Sequence, residues 1–562
     1  MRDAVRVFLI SACFLLLASP SVYGSTAFAY LSATVQLVIV LAALVLTWET
    51  FDARAENSHA SEWIPAVVVA VIAGAIVFQA SGTWLREILS YPSDTRRPDM
   101  VPIVERGVHQ ILQGKNPYTT YYIPWKTTLS YGPVLWGPYV LPYVLHADLR
   151  IGSLLGSLFV PTACALCAAV SAFQKRFIST VAWLGMLWIL ASSSQLREFA
   201  SYAHTPIYWP LIALFAWFVG RERWTPAAIT CGLLVAARTT MIAIVPVFLI
   251  CVWHRDRSRT LTLVVLVVLS ALFPFLPFAI WNWSTLQYSM YGAYETVIKT
   301  AVWGNGGGTD TVGLTGLLLR LGWQSYVEAA QAVVLIAVYV AAWIALGRGR
   351  RALPWMVVAL FAFCATTLWP VYYIYLDVFV LAICVAMAET DWLLSHRPGR
   401  VWLLAAAVSV AVLGVTIVRN VPRDTTIDVG TQTDRHWLYA GFADNEDNGR
   451  TFAWVDGKAA EVLLPRRSRA DAAVDIVCQP NLPTADAEQT MSVVLNGTVL
   501  GTVSLREGWQ TVSLDAPART WLIGLNDLTL SFSHAISPLE ARLSADPRKL
   551  SVAFDRIDVR TK

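Results

Sequence analysis

The chain has 562 residues, 56% of them hydrophobic and only 14% charged, where soluble domains carry about 25% charged residues. A formal net charge of +4 is too small for a nucleic-acid-binding surface. Of the 42 basic and 38 acidic residues, 14 and 17 respectively fall after residue 430. Composition therefore divides the chain into an apolar body suited to a lipid bilayer and a tail of ordinary soluble character.

The opening "MRDAVRVFLISACFLLLASPSVYGS" has the basic start, apolar run and small residues of a signal peptide. A first transmembrane helix fits the same residues and is preferred, because the topology then works without cleavage. A spanning helix needs about 20 mainly apolar residues. Such stretches lie near 6–24, 28–49, 63–84, 151–172, 178–196, 204–220, 225–238, 240–254, 260–281, 325–346, 353–370, 371–390 and 401–418. This predicts about thirteen helices; 225–238 and 240–254 are short enough to be half-helices meeting in the bilayer.

Lys and Arg of short loops stay cytoplasmic. The clusters Arg2/Arg6, Arg54, Lys175/Arg176, Arg221/Arg223, Arg255/Arg257/Arg259, Arg348/Arg350/Arg351 and Arg397/Arg400 share one side if residues 130–149 do not cross. That stretch holds prolines at 133, 138 and 142 and reads as a re-entrant or surface helix. The expected protein is a multi-pass plasma-membrane protein with a cytoplasmic N-terminus. The loops 85–149 and 282–323 and the tail then lie outside. The body is expected over 1–420, a linker over 421–435 and a second domain over 436–562.

The first outer loop is the richest polar island. From Asp99, "DMVPIVERGVHQILQG" places Val104, Val108, Ile111 and Leu112 at helical spacing. This predicts an amphipathic helix lying at the membrane surface and ending at Gly114. Asp99 also suits a plain helix N-cap, although Pro102 stands where a capping box would want Glu or Gln. Arg96 and Arg97 could lower its pKa or hold anionic headgroups.

The pattern of Asp99, then Gly114-Lys115-Asn116-Pro117-Tyr118, then Tyr131-Gly132-Pro133 resembles the first outer loop of the GT-C superfamily of membrane glycosyltransferases. The likeness is to the polyprenyl-phosphate-mannose-dependent kind designated family 87, and it covers roughly residues 63–420. Gly132 stands where proline is usual, two extra N-terminal spans are present, and Asp94 competes with Asp99 for the matching carboxylate. The resemblance implies an inverting hexosyltransferase, with mannose the family's sugar. It would take its donor from a polyprenyl-phosphate carrier and pass it to an envelope glycan, glycolipid or protein outside the membrane.

Such chemistry needs a base for the acceptor hydroxyl and a cation for the departing lipid phosphate. Asp99 is the expected base, with Asp94 the rival. Arg238, in "GLLVAARTTMIAIVP", has no acid nearby in sequence and matches a basic residue common in the family. Phosphate binding and pairing with an acid elsewhere in the bundle both account for it. Arg197, His204 and Lys126 are further donor-phosphate candidates, and interfacial anchoring explains each equally. "WGNGGGTDTVG" (303–313) follows no strand and lacks the lysine of a P-loop, leaving a lid or a plain connector, with Asp310 a weak site candidate. "LWPVYYIYLD" (368–377) reads as an aromatic belt at a membrane boundary.

Seven of the eight cysteines lie in apolar segments, Cys164 and Cys167 among them as a CxxC pair, and the tail holds only Cys478. No internal disulfide is expected there, and no metal-binding motif or cofactor signature occurs. The tail alternates apolar and polar residues, and Asn496-Gly497 marks a two-residue hairpin between two such runs. An all-β, jelly-roll-like sandwich is expected. Trp437, Trp454, Trp509 and Trp521 could stack on sugar rings or fill the core. Two rival functions remain at this stage. A transporter or flippase for lipid-linked glycans would place charges along a through-path, and a non-catalytic sugar-binding assembly protein would have the tail as its working part.

Overall fold

A computed structural model describes residues 7, 9–11, 63–93, 100–122, 126–201, 205–292, 303, 313–368, 372–388, 399–482, 484, 487–540 and 544–562. The chain forms two compact units. The first draws on residues 1–81, 95–140 and 152–412, the second on 82–94, 141–151 and 413–562.

The helices follow the apolar stretches. In chain order they are α1 (Trp63–Leu89), α2 (Met100–Leu112), α3 (Arg150–Phe173), α4 (Phe177–Ser192), α5 (Ser194–Ser201), α6 (Trp209–Gly220), α7 (Trp224–Ala237) and α8 (Ile244–Arg255). They continue with α9 (Thr260–Leu272), α10 (Leu276–Gln287), α11 (Gly313–Arg320), α12 (Val327–Gly347), α13 (Ala352–Thr366), α14 (Tyr375–Ala388) and α15 (Gly399–Asn420). Among the described residues, five helical stretches are long and apolar enough to cross a bilayer: Trp63–Leu89, Arg150–Phe173, Arg257–Gly292, Gln324–Gly347 and Leu403–Asn420. Six others are apolar but shorter, so the thirteen full-length spans expected are not reproduced among the described residues. The two earliest expected spans lie almost wholly outside those residues.

The long helices turn apolar side chains outward: Ile64 is 80% exposed and Ile280 77%. That is the surface a lipid-facing helix presents. α14 is the opposite case. Every residue from Tyr375 to Ala388 is buried, so it is a central helix, apolar all round because it is enclosed all round. The segment expected as an outer loop at 282–323 instead continues as helix to Gly292, with Asn282 alone out of helical conformation, and contains α11. Residues 133–144 form three short helical turns, each too short to span.

α2 begins directly after Asp99, as its periodicity predicts. Its apolar face is nevertheless not free to lie on a membrane. Val104 and Val108 are fully buried, and Leu129 sits against the helix backbone at Gly107. Protein covers the stripe, and only Leu112 stays exposed. After Gly114 the chain forms a small hairpin, β1 (Thr120–Tyr122) against β2 (Lys126–Thr128).

The second unit contains a β-sandwich. Its strands are β3 (Thr425–Asp428), β4 (Leu438–Ala440), β5 (Phe442–Asp447), β6 (Thr451–Asp456), β7 (Ala459–Arg466), β8 (Ala472–Pro480) and β9 (Gln489–Leu495). β10 (Thr498–Leu505), β11 (Gln510–Ala516), β12 (Gly524–Phe532) and β13 (Leu550–Thr561) complete it. One sheet has the order β10-β9-β12-β7-β4, the other β11-β8-β13-β6-β5. β13 pairs with β8 along one edge, and with β6 and then β3 along the other. β3 therefore makes part of the expected linker 421–435 a strand of the sandwich: Ile427 has the right face to join the core. The core between the sheets is built from inward positions such as Val462, Leu464, Val493, Leu528, Val474, Ile476, Val552 and Phe554. The hairpin at Asn496-Gly497 forms, with φ of 48° and 77°, the left-handed pair that a two-residue turn demands.

Three segments of this unit meet at Arg150. Asp148 grips the Arg150 guanidinium with both oxygens, from Nη2 at 2.6 Å and Nε at 3.0 and 3.1 Å, while Nη1 donates to the Tyr91 carbonyl at 2.8 Å. The Asp148 backbone N–H donates to Ile523 of the sandwich, whose own N–H donates to His146.

Candidate functional site

The first unit gathers polar groups at one place inside the helix bundle. α7 stops at Ala237, and Arg238 takes an extended conformation (φ −141°, ψ 119°) before a short 3-10 turn leads into α8. The two half-helices expected from the sequence thus meet at the arginine. A break of this kind frees backbone and side chain to face a site rather than a neighbouring helix turn.

Arg238 Nε lies 3.3 Å from Asp377 Oδ2. The other carboxylate oxygen accepts hydrogen bonds from the Tyr208 hydroxyl at 2.5 Å and the Trp209 indole N–H at 3.0 Å. Tyr373 places its ring 5.8 Å from the guanidinium carbon. Asp377 sits in the first turn of α14, where the helix dipole favours a negative charge. Its side chain is 3% exposed, that of Arg238 12%. An isolated charge at that depth is costly, and the pair plus two donors offsets the cost. Among the described residues Arg238 makes no side-chain hydrogen bond through its terminal nitrogens, and these are not sealed from the surroundings. The Nε approach is an ion pair and not a hydrogen bond, since Asp377 Oδ2 has no hydrogen-bond partner among the described residues; the fork is the end of a guanidinium that recognises a phosphate bidentately.

The motif around Gly132 lies against the same helix end. A Cβ on Gly132 would stand 1.7 Å from the Ala236 carbonyl oxygen and 3.2 Å from Phe275. Close packing on the last turn of α7 is the reason that glycine, and not proline, occupies the position. Tyr118 is locked beside it. Its hydroxyl donates to the Tyr131 carbonyl at 3.0 Å and accepts from Trp136 Nε1 at 3.2 Å, and its ring meets Phe278 edge-on at 5.1 Å. The Asn116 side chain caps the Tyr118 N–H at 3.0 Å. "GKNPY" is thus a turn that inserts one tyrosine into the bundle, and burial raises the Tyr118 pKa far above the ordinary phenol range.

The other expected site residues scatter. Arg197 is half-buried on α5, two residues before Phe199, whose ring stacks on Trp209 at 5.3 Å. That stack connects α5 to the Asp377 cluster. Lys126 stands exposed on β2, opposite Tyr122. Asp94, Asp99, His204, Arg96, Arg97 and Asp310 lie outside the described residues. Asp377 and Tyr373 were expected to form an aromatic belt. Asp377 is instead the buried counterion of Arg238, and Tyr208 and Trp209 complete its shell. The usable signal was the lone acid at the head of an apolar helix, since a buried cation calls for a buried anion.

In the tail, Trp521 is fully buried, donates from Nε1 to the Ala516 carbonyl at 3.3 Å, and carries the Arg466 guanidinium 4.3 Å above its ring. Trp437 packs half-buried on the core. Trp454 and Trp509 belong to neither group and lie on an outer sheet face.

No protein-family model and no curated protein matches the chain. Among solved structures, a quarter of the chain (25%) aligns with the CBM36-1 domain of a multidomain xylanase from the hindgut metagenome of Trinervitermes trinervoides. The identity is 10%, 98% of that domain is covered, and the TM-score is 0.18. A family 35 carbohydrate binding module from an environmental isolate aligns at 16% identity over 25% of this chain and 93% of its own, with a TM-score of 0.16. The sandwich itself is established by its own strand pairing.

Proposed function

We propose that the chain is a membrane-embedded glycosyltransferase that uses a lipid-phosphate-linked sugar, with Arg238 holding the donor phosphate. The observation that carries this reading is a buried arginine fixed at Nε by Asp377 while its terminal nitrogens remain uncommitted among the described residues. In the reaction, an acceptor hydroxyl attacks the anomeric carbon as the bond from that carbon to the phosphate oxygen breaks. The bonding pair leaves on the lipid phosphate, where Arg238 stabilises the growing charge. The hydroxyl proton passes to a carboxylate, Asp99 with Asp94 as its rival. One displacement inverts the anomeric centre. Arg197, Lys126 and His204 are assigned secondary contacts with the donor. The superfamily resemblance adds an outer-face active site, a polyprenyl-phosphate-hexose donor with mannose as the first sugar to try, and an envelope acceptor.

The test uses the full chain in lipid nanodiscs with radiolabelled polyprenyl-phosphate hexoses and an envelope extract. Transfer by wild type, lowered about a hundredfold by Arg238→Ala and abolished by Asp99→Ala, is expected. Full transfer by Arg238→Ala overturns the phosphate assignment, and no transfer from any donor overturns the enzyme reading.

A further inference from the structure

The outer faces of the two sheets differ in a way the fold does not require. In the five-stranded sheet, the outward positions of β9 and β12 include Thr490, Ser492, Val494, Asp527, Thr529 and Ser531, the mostly polar residues expected where an antiparallel sheet meets water, with Leu525 the apolar exception at the start of β12. In the other sheet, β6 sends Ala453 and Val455 into the core and Phe452 and Trp454 outward. The register continues the aromatic row. Trp454 is paired with Ala553 on β13, Ala553 with Gln479 on β8, and Trp509 immediately precedes the Gln510 that faces Cys478. Phe452 lies between the indoles, 6.1 Å from Trp454 and 5.8 Å from Trp509, and Ala553 beneath them is fully covered. Both tryptophans remain half-exposed, and among the described residues neither indole N–H has a hydrogen-bond partner.

Charge completes the arrangement. The Arg450 guanidinium sits 4.9 Å from the Trp509 ring centroid and pairs with Asp555 at 3.5 Å, both side chains reaching water at 44% and 24% exposure. The patch is therefore two part-exposed indoles set edge-to-face about the buried Phe452 ring, edged by one donor-rich and one acceptor-only group of opposite charge, with Gln479 offering both. The core does not need these rings, since it closes without them.

We infer that this face is a carbohydrate-binding site, formed by Trp454 and Trp509 as the stacking floor and Arg450, Asp555 and Gln479 as hydroxyl partners. A pyranose presents an apolar C–H face and an equatorial rim of hydroxyls that donate and accept. The patch offers complements to both, with balanced charge that suits a neutral glycan rather than a polyanion. Polar groups few in number and fixed around an apolar surface are the common plan of small-molecule recognition, and an exposed aromatic patch rimmed by polar residues marks a binding surface. The site lies wholly within the sandwich and does not depend on the transfer reaction.

The full chain in nanodiscs is titrated, without donor, into fluorescently labelled oligosaccharides of α-mannan, β-1,3-glucan, β-1,4-glucan and arabinogalactan, read by polarisation. At least one should bind, with affinity reduced at least tenfold by Trp454→Ala and by Trp509→Ala, partly recovered in Trp509→Phe, and unchanged in Thr529→Ala on the outward face of the other sheet. Because an alanine variant can fail to fold, each is accepted only with wild-type thermal unfolding, and Arg450→Gln serves as a second, milder probe expected to weaken binding severalfold. The inference is overturned if no oligosaccharide binds, or if the Trp454→Ala/Trp509→Ala double variant binds as wild type does. Quenching of these tryptophans by brominated lipid without any glycan binding also overturns it, since the face would then be a membrane contact.

Discussion

Arg150 and Arg238 are both buried arginines with an aspartate partner, and they are finished to different degrees. Arg150 commits Nε, Nη1 and Nη2 to Asp148 and the Tyr91 carbonyl, has Tyr91 stacked 5.0 Å away, and is 1% exposed. Among the described residues Arg238 has one ion pair, at 3.3 Å, and the Tyr373 ring 5.8 Å away, and is 12% exposed. The first is what an arginine looks like when its task is to hold segments together. Nothing is left over for a ligand. The second has only its Nε beside the carboxylate, and the proposed donor phosphate would meet its terminal nitrogens. The proposal therefore assigns a structural use to one side chain and a functional use to the other, and mutations can test that separation.

The largest effect is expected from Arg150→Ala. Removing one partner of a buried, fully bonded pair strands Asp148 and costs about 3–5 kcal/mol, seen as a lower unfolding midpoint of the sandwich in nanodiscs. Transfer per folded molecule should be unchanged. Arg238→Ala shifts the balance, with an activity loss of about a hundredfold and a smaller loss of stability than Arg150→Ala, because Tyr208 and Trp209 still donate to the stranded Asp377. Arg238→Lys should restore only part of the activity, because an ammonium cannot form the planar two-pronged contact. If Arg238→Ala instead unfolds the protein with residual activity intact, the contrast fails.

Asp377→Asn tests the anchor alone. The amide still accepts from Tyr208 and Trp209 but no longer attracts the guanidinium, so transfer should fall by about tenfold, a loss of about 1.4 kcal/mol. Raising donor concentration should recover more of it than in Arg238→Ala. The smallest effect concerns Asp424 in the second unit. The Thr561 hydroxyl and backbone N–H donate to it and hold its carboxyl below the ordinary value. A depressed folded-state pKa contributes stability that is present above the unfolded value and is lost as pH falls through the folded one. Asp424→Asn should therefore lower stability slightly at neutral pH, leave it nearly unchanged at acid pH, and so flatten the acid limb of the sandwich's pH-stability curve.

Local patterns carried much of this architecture. Apolar runs gave the helices, alternation gave the strands, Asn496-Gly497 gave the hairpin, and a lone Arg238 between two short apolar runs announced the broken helix. What stayed hidden was pairing at a distance. Asp377 is 139 positions from Arg238, and no local feature says that α14 will bring it there. Asp148 and Arg150 are near neighbours, yet "DLR" reads as an ordinary loop until Tyr91 and Ile523 close around it. The aromatic floor was visible only as four tryptophans. Strand register turns Trp454 outward, because one step along a strand exchanges the faces, whereas Trp509 and Trp521 lie in the connections before β11 and β12, whose course no local pattern specifies.

The placement of β13 also bears on how the molecule comes into being. It is the interior strand of its sheet, hydrogen-bonded to β8 on one side and to β6 and β3 on the other. Its partner β3 precedes it by more than a hundred residues, a long-range pairing of the kind that slows folding. Until β13 docks, β8 and β6 each present a bare hydrogen-bonding edge, the form in which unfinished sheets pair with the wrong strand. The sheet is thus continuous only through β13, and losing that one strand would leave two bare edges in the same molecule.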